Sequence, residues 1–468
     1  MSFDALFLSR LQWTWVIAWH ILLPAFTVGL ASYIAVLEGL YYVRREEVWF
    51  RISRFWTRIF AVSFAMGVVS GIVMPFQFGT NWSRFSDAVA NVVSPMLAYE
   101  DLMAFFLEAT FLGVLLFGRG LVPRWAHFLA ACMVAVGTLF SSFWILSVNS
   151  WMQTPAGFEL RDGRFFPADW LAIVFSPSFP YRLAHNVAAF YVTTGFVVLG
   201  VGAYLVRGGR FGEEGRRIVT MALGFLAVFV PLQIMLGDLH GLNTRTNQPA
   251  KLAAMEGRWD TASPAPLTLF GLPDQAGERN AYAVEVPYLG SLVLTHSLSG
   301  EVKGLKDFPP DQRPPVWPVF FAFRIMVGIG LLMLGVVALG WWLKLRGVLF
   351  RTGWFLRLCQ WVAPAGFVAV LAGWTTTEVG RQPWTVYGLL RTAQSVSPSL
   401  TGPDVMLSLL AYMAVYLLMY PAGIAVMART VRQGPVDGPT PAHPVEGLQP
   451  VAPVAGLAVQ PALASSGK

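Results

Sequence analysis

The sequence predicts an all-α integral membrane protein of about nine transmembrane helices, N-terminus outside and C-terminus cytoplasmic, with a long extracytoplasmic loop between the sixth and seventh helices. Three observations carry this. Of 468 residues, 55% are hydrophobic and only 13% charged, well below the roughly 25% charged that soluble domains carry. Apolar runs of about the 20 residues that a bilayer requires recur along the chain. Lys and Arg gather in alternate short segments between those runs, as insertion topology demands.

The runs cover approximately residues 12–40, 55–78, 95–117, 126–148, 183–206, 218–236, 317–343, 355–377 and 405–427. The first loop holds Arg44, Arg45, Arg51 and Arg54, and the third holds Arg119 and Arg124. The fifth holds Arg207, Arg210, Arg216 and Arg217; the seventh holds Lys344, Arg346 and Arg351, and Arg429 and Arg432 follow the last run. All five basic segments belong on the cytoplasmic side. An odd helix count then puts the N-terminus outside, so count and charge agree. Residues 237–316 form a hydrophilic excursion of roughly 80 residues, far above the usual loop length and therefore expected to be functional. Residues 1–433 read as one membrane domain. Residues 434–468, rich in Pro and Ala, read as a disordered cytoplasmic tail.

The net charge of +7 does not point to nucleic acid, because the basic residues sit in short loops where lipid headgroups meet them. Cys132 and Cys359 both lie in apolar runs, which excludes a disulfide framework and a paired-cysteine metal site. The first apolar run is too long for a cleavable signal peptide and lacks a small-residue cleavage site.

Charged groups inside hydrocarbon cost about 2.5–3.5 kcal/mol each on insertion scales, so each needs a partner or a purpose. The apolar runs contain His20, Glu100, Asp101, Glu108, His185, Arg324 and, at a helix end, Glu378. His20 and His185 could each be hydrogen-bonded to a neighbouring helix or ligate haem iron. Met326 follows Arg324 in FFAFRIMVGIG; a membrane methionine is ordinarily packing, but the arginine wants an anion. His127, His240, His296 and His443 fall in loops or the tail, without an expected role. Glu100 and Glu108 are separated by about 12 Å and about 80° on an ideal helix, while Asp101 and Glu108 share a face. Buried acids of this kind can relay protons or be structural.

The densest local pattern is GWTTTEVGRQPW at 373–384, where a helix end carries Glu378 and a turn carries Arg381 between Trp374 and Trp384. This segment resembles the signature of subunit I of the cytochrome bd-type quinol oxidases, including their cyanide-insensitive branch. The family is echoed in SRLQWTWVIAWH near the start, FWILSVNSWMQTPAGFEL at 143–160, GDLHGLNTRTNQPAKLAAMEG at 237–257 and FRIMVGIG at 323–330. Position by position, the resemblance implies that His185 and Met326 are the axial ligands of a low-spin haem b. His20 and Glu378 would each ligate one of two high-spin haems, a second haem b and either haem d or a further haem b. Lys251 and Glu256 match the quinol-binding loop, and Glu100 and Glu108 a pair associated with haem and proton delivery. Arg324 and Arg381 would pair with haem propionates, with Trp374 close to a haem.

The implied protein is the haem-bearing subunit of an electrogenic terminal oxidase in the bacterial cytoplasmic (inner) membrane. It would oxidise quinol on the outer side and reduce O2 to water, raising a membrane potential without a proton pump. The resemblance also implies a subunit II and leaves room for a small single-helix subunit. Counted from the helix ends, all four ligands fall in the outer half of the membrane, and Lys251 lies outside it, facing the donor. The ligand set suits the chemistry: His plus Met fills both axial positions of an electron-transfer iron, while a single His or Glu leaves an open face for oxygen. Two other classes would fit part of this pattern. A secondary transporter should show inverted repeats, and none is evident. A haem b electron-transfer subunit would leave His20 and Glu378 idle. The sequence leaves open which ligand holds which high-spin haem, and whether the donor is ubiquinol or menaquinol.

Overall fold

In hydrocarbon every backbone N–H and C=O must be satisfied within the chain, and helices do this locally. The computed structural model describes residues 4–436; the remainder of the expected tail, 437–468, lies outside the described residues. Among the described residues, eight helices are long and apolar enough to cross a membrane: Ala5–Arg44, Glu47–Thr80, Arg124–Gln153, Trp170–Gly208, Gly212–Asn247, Val316–Leu345, Gly353–Val379 and Gly402–Gln433.

The first of these is two helices end to end, α1 (Ala5–Leu22) and α2 (Pro24–Arg44), with proline opening the second. Next is α3 (Glu47–Thr80). The expected span at 95–117 is absent from the eight because its helix is divided. It runs as α4 (Ser83–Tyr99), a π-turn at Glu100–Phe105 and α5 (Phe106–Phe117). After α6 (Arg124–Gln153) come the hairpin β1–β2 (Phe158–Arg161, Arg164–Pro167) and the short α7 (Trp170–Val174). They lead to α8 (Phe179–Gly208) and α9 (Gly212–Asn247).

Helix α9 does not stop near residue 236; it continues to Asn247, so 237–247 is helix and not loop. The excursion that follows is ordered. It contains α10 (Pro249–Glu256), the hairpin β3–β4 (Leu267–Asp274, Arg279–Val286) and α11 (Leu289–Thr295). Helix α12 (Val316–Leu345) returns to the bundle, followed by α13 (Gly353–Val362) and α14 (Ala365–Val379). The strand pair β5–β6 (Trp384–Val386, Leu390–Arg391) and α15 (Gly402–Gln433) complete the chain.

The largest apolar core joins α2, α3, α8, α9, α12 and α13 through residues such as Ile34, Trp56, Phe60, Phe196, Leu226 and Phe355. Apolar side chains also cover the outside: Val36, Val228, Leu331 and Leu418 are all exposed. A surface like this suits lipid as solvent and would be costly in water.

Candidate functional site

Helix α14 ends in a turn, and its last residues face the C-terminal end of α6, the first turn of α8 and helix α10. Arg381 Nη2 lies 2.5 Å from Glu378 Oε2. The other carboxylate oxygen accepts from Asn149 Nδ2 and Gln153 Nε2, each at 3.1 Å. Asn149 and Gln153 are one turn apart on α6, so a single helix face grips the acid. Arg182 on α8 donates to Ser150 Oγ at 3.1 Å and to Asn149 Oδ1.

Lys251 on α10 completes the cluster. Its Nζ donates to Gln153 Oε1 and Gln248 Oε1, both at 2.6 Å, so one glutamine links the lysine to Glu378. The sequence places Lys251 outside the membrane and facing the donor, whereas the structure buries it at 4% exposure. Burial, with the charges of Arg182 and Arg381, pushes its ammonium well below the usual lysine range against the opposing pull of Glu378.

Three buried basic side chains, Arg182, Lys251 and Arg381, thus surround one carboxylate. Arg381 Nε and Nη1 are buried without a hydrogen-bond partner. Unmatched buried donors and charge cost several kcal/mol, roughly 1–3 per donor, so this cluster suits an added anion. The carboxylates of a haem are of that kind, and the residues fit them.

Three of the four candidate iron ligands lie against a glycine. His185 on α8 meets the α9 face formed by Gln233, Gly237 and His240. Gln233 Nε2 is 3.3 Å from its Nε2, its Nδ1 has no partner, and the His240 ring centroid is 5.5 Å away. A Cβ on Gly237 would come within 3.3 Å of the ring, and one on Gly373 of α14 within 2.9 Å of Met326 Sδ on α12. His20, near the end of α1, hydrogen-bonds Ser70 Oγ at 2.9 Å, and its ring lies over Gly71 of α3. Ser70 Oγ also donates to Gly67 O at 3.1 Å, which leaves it to accept from Nδ1–H and keeps Nε2 bare. Trp374 is half-buried, next to Gly373 on α14.

The resemblance implies Arg324 beside a haem propionate. Here its guanidinium donates to the carbonyls of Met255 (2.7 Å), Leu269 (3.1 Å), Phe320 (3.2 Å) and Thr268, 3.9 Å from Glu256 Oε2. It ties the loop to α12 because a hairpin and α10 bring their carbonyls to it. Glu256 is buried, which raises its carboxyl despite the nearby Arg324 and Arg258. Lys251 and Glu256 share α10 but have different partners.

Glu100 accepts from Ser141 Oγ at 2.7 Å, and Glu108 is buried against Gly137, one turn away on α6. The π-turn between them changes the helical phase, so both acids face α6 in spite of the offset that an ideal helix gives. Asp101 is exposed, and its side chain reaches Glu100 but not Glu108. Three histidines given no role gain partners, His296 through the Asp238 carboxylate at 3.1 Å. His240 packs beside His185, and its face of α9 was illegible while 237–247 read as loop. His127 is buried on α6, 3.1 Å from Glu38 Oε2; that acid also binds Arg119 and Ser53.

Residues 8–435 match the family model described as cytochrome bd terminal oxidase subunit I. The chain is 36% identical over 443 residues to cytochrome bd ubiquinol oxidase subunit 1 of Bacillus subtilis (strain 168), covering 92% of this chain and 94% of the relative. It is 34% identical over 502 residues to cytochrome bd-II ubiquinol oxidase subunit 1 of Escherichia coli (strain K12), covering 92% and 97%. Among solved structures, it resembles the bd oxidase of Geobacillus thermodenitrificans with a TM-score of 0.85 and 32% identity, over 92% of this chain and 99% of that one.

Proposed function

The chain belongs to the cytochrome bd terminal oxidase subunit I family, and from that premise we propose that it is the haem-bearing subunit of a quinol oxidase that takes electrons from membrane quinol on the outer side and reduces O2 to water. The observation that carries this reading is the excess of buried positive charge around Glu378, with two Arg381 donors unmatched. His185 and Met326 hold a low-spin haem b. His20 and Glu378 each hold one of two high-spin haems, a haem b and either haem d or a further haem b. When bound, the haems supply electron transfer and oxygen reduction.

The chain's own residues do the placing. Gly237, Gly71 and Gly373 leave room beside the ligands, and Ser70 orients His20. Arg381, Arg182 and Lys251 offer positive charge to propionates, and Trp374 stands beside Met326's glycine. Glu256 accepts a quinol proton; Lys251 orders the quinol loop against Glu378 through Gln153. Glu108 and then Glu100 deliver protons from the cytoplasmic side along α6. Ser83–Phe117 serves as the ninth span, which gives the outside N-terminus; the complex belongs in the inner membrane. Subunit II is the obligate partner, with room for a small single-helix subunit.

A reduced-minus-oxidised visible spectrum with haem extraction tests this reading. The wild type should show one low-spin and two high-spin haems. Met326→Leu, which keeps volume and removes the sulfur, should abolish only the low-spin band. Absence of haem sinks the oxidase, and an unchanged low-spin band in the variant rejects Met326 as ligand.

A further inference from the structure

Helix α3 carries Phe50, Arg54, Thr57 and Arg58 on one face, and this face lies opposite Leu115, Leu116 and Phe117 at the end of α5. With Arg119 from the following turn they line a cavity of about 290 Å³. Arg119 is fixed in place by Glu38, and its guanidinium lies 4.8 Å from the Phe50 ring centroid. Glu38 is fully engaged by Arg119, His127 and Ser53, so it neutralises no more than Arg119. Arg54 and Arg58 have no carboxylate partner among the described residues, and Arg54 Nη1 is buried without a hydrogen bond. Arg58 and Arg119 lie close enough to repel the Arg54 charge. With Arg119 balanced by Glu38, Arg54 and Arg58 leave an excess of positive charge at this cavity, which an anion would offset. One wall is apolar, and Phe117 continues it outward at 75% exposure.

From this pairing of clustered arginines with an apolar exit we propose that the cavity binds the phosphodiester of an anionic phospholipid of the cytoplasmic leaflet, its acyl chain running over Leu116 and Phe117. Arg54 and Arg58 grip the phosphate, and the Glu38-held Arg119 closes the site. A lipid seated here staples α3 to α5, the helix that carries Glu108. The inference rests on the membrane placement of the chain and is independent of the haem assignments.

The test uses the purified oxidase with its partner subunit. Native mass spectrometry after detergent exchange should retain one phosphatidylglycerol and no phosphatidylcholine. Arg54→Gln with Arg58→Gln should weaken phosphatidylglycerol binding about 30-fold, from about a fivefold effect per basic residue, with the visible spectrum unchanged as proof of folding. Arg346→Gln removes a cytoplasmic charge away from the cavity and should leave retention as it is. Equal weakening by Arg346→Gln would mean general surface potential and would overturn the site. Inorganic phosphate at millimolar concentration should not displace the lipid; binding of phosphate alone, lost in the double variant, would replace the lipid as ligand. Unchanged lipid and phosphate binding in the double variant would reject the proposal outright.

Discussion

Glu256 is held on the inward face of α10, its carboxyl raised by burial against the pull of Arg324 and Arg258. A carboxylate shifted toward neutrality is a competent proton acceptor, but only while ionised. The sign follows: kcat/KM for quinol should fall as pH drops through this raised pKa, at a higher pH than an ordinary carboxylate would give. Glu256→Gln should lower kcat/KM by about 100-fold and remove that acid limb from the profile. If the limb persists in the variant, another group takes the proton. Lys251 illustrates why residue roles were only partly legible. Its type and motif were readable, but its burial against Gln153 depends on how an eight-residue helix docks.

At the scale of elements, the π-turn at Glu100–Phe105 matters most. A sequence read with a fixed helical period cannot register a change of phase, so Glu100 and Glu108 seemed to diverge and Asp101 seemed to align with Glu108. The structure aims both glutamates at α6 and turns Asp101 outward. Packing there is tight: a Cβ on Gly137 would lie 2.6 Å from Glu108 Cγ. Gly137→Ala should therefore displace the Glu108 side chain and slow O2 reduction by about tenfold, while quinol still reduces the low-spin haem in stopped flow. Glu108→Leu should slow turnover further. Normal turnover of Glu108→Leu, with shifted haem spectra only, would make that acid structural.

For the whole molecule, the consequence concerns energy conversion. If the proposed ligands lie in the outer half and protons enter past Glu108, electrons and protons meet from opposite sides. Turnover in sealed vesicles should then move about one charge per electron across the membrane. A yield near two would require pumping and would overturn the path; a yield near zero would place proton uptake on the outer side.

The membrane class, nearly every span and the family were legible in the sequence, because hydrophobic length and Lys/Arg placement act locally and the motifs are contiguous. His20, His185, Met326 and Glu378 could be singled out because a polar or sulfur group in an apolar run stands out by itself. What only the tertiary structure decided is which groups share an environment. The chain places Lys251, Gln153, Arg182 and Glu378 far apart, yet helix docking joins them in one cluster. It also turns Arg324 onto loop carbonyls, seats His127 on Glu38 and sets His240 beside His185. Charge balance and hydrogen-bond satisfaction are properties of neighbours in space, and in a helical bundle most of those neighbours come from other helices.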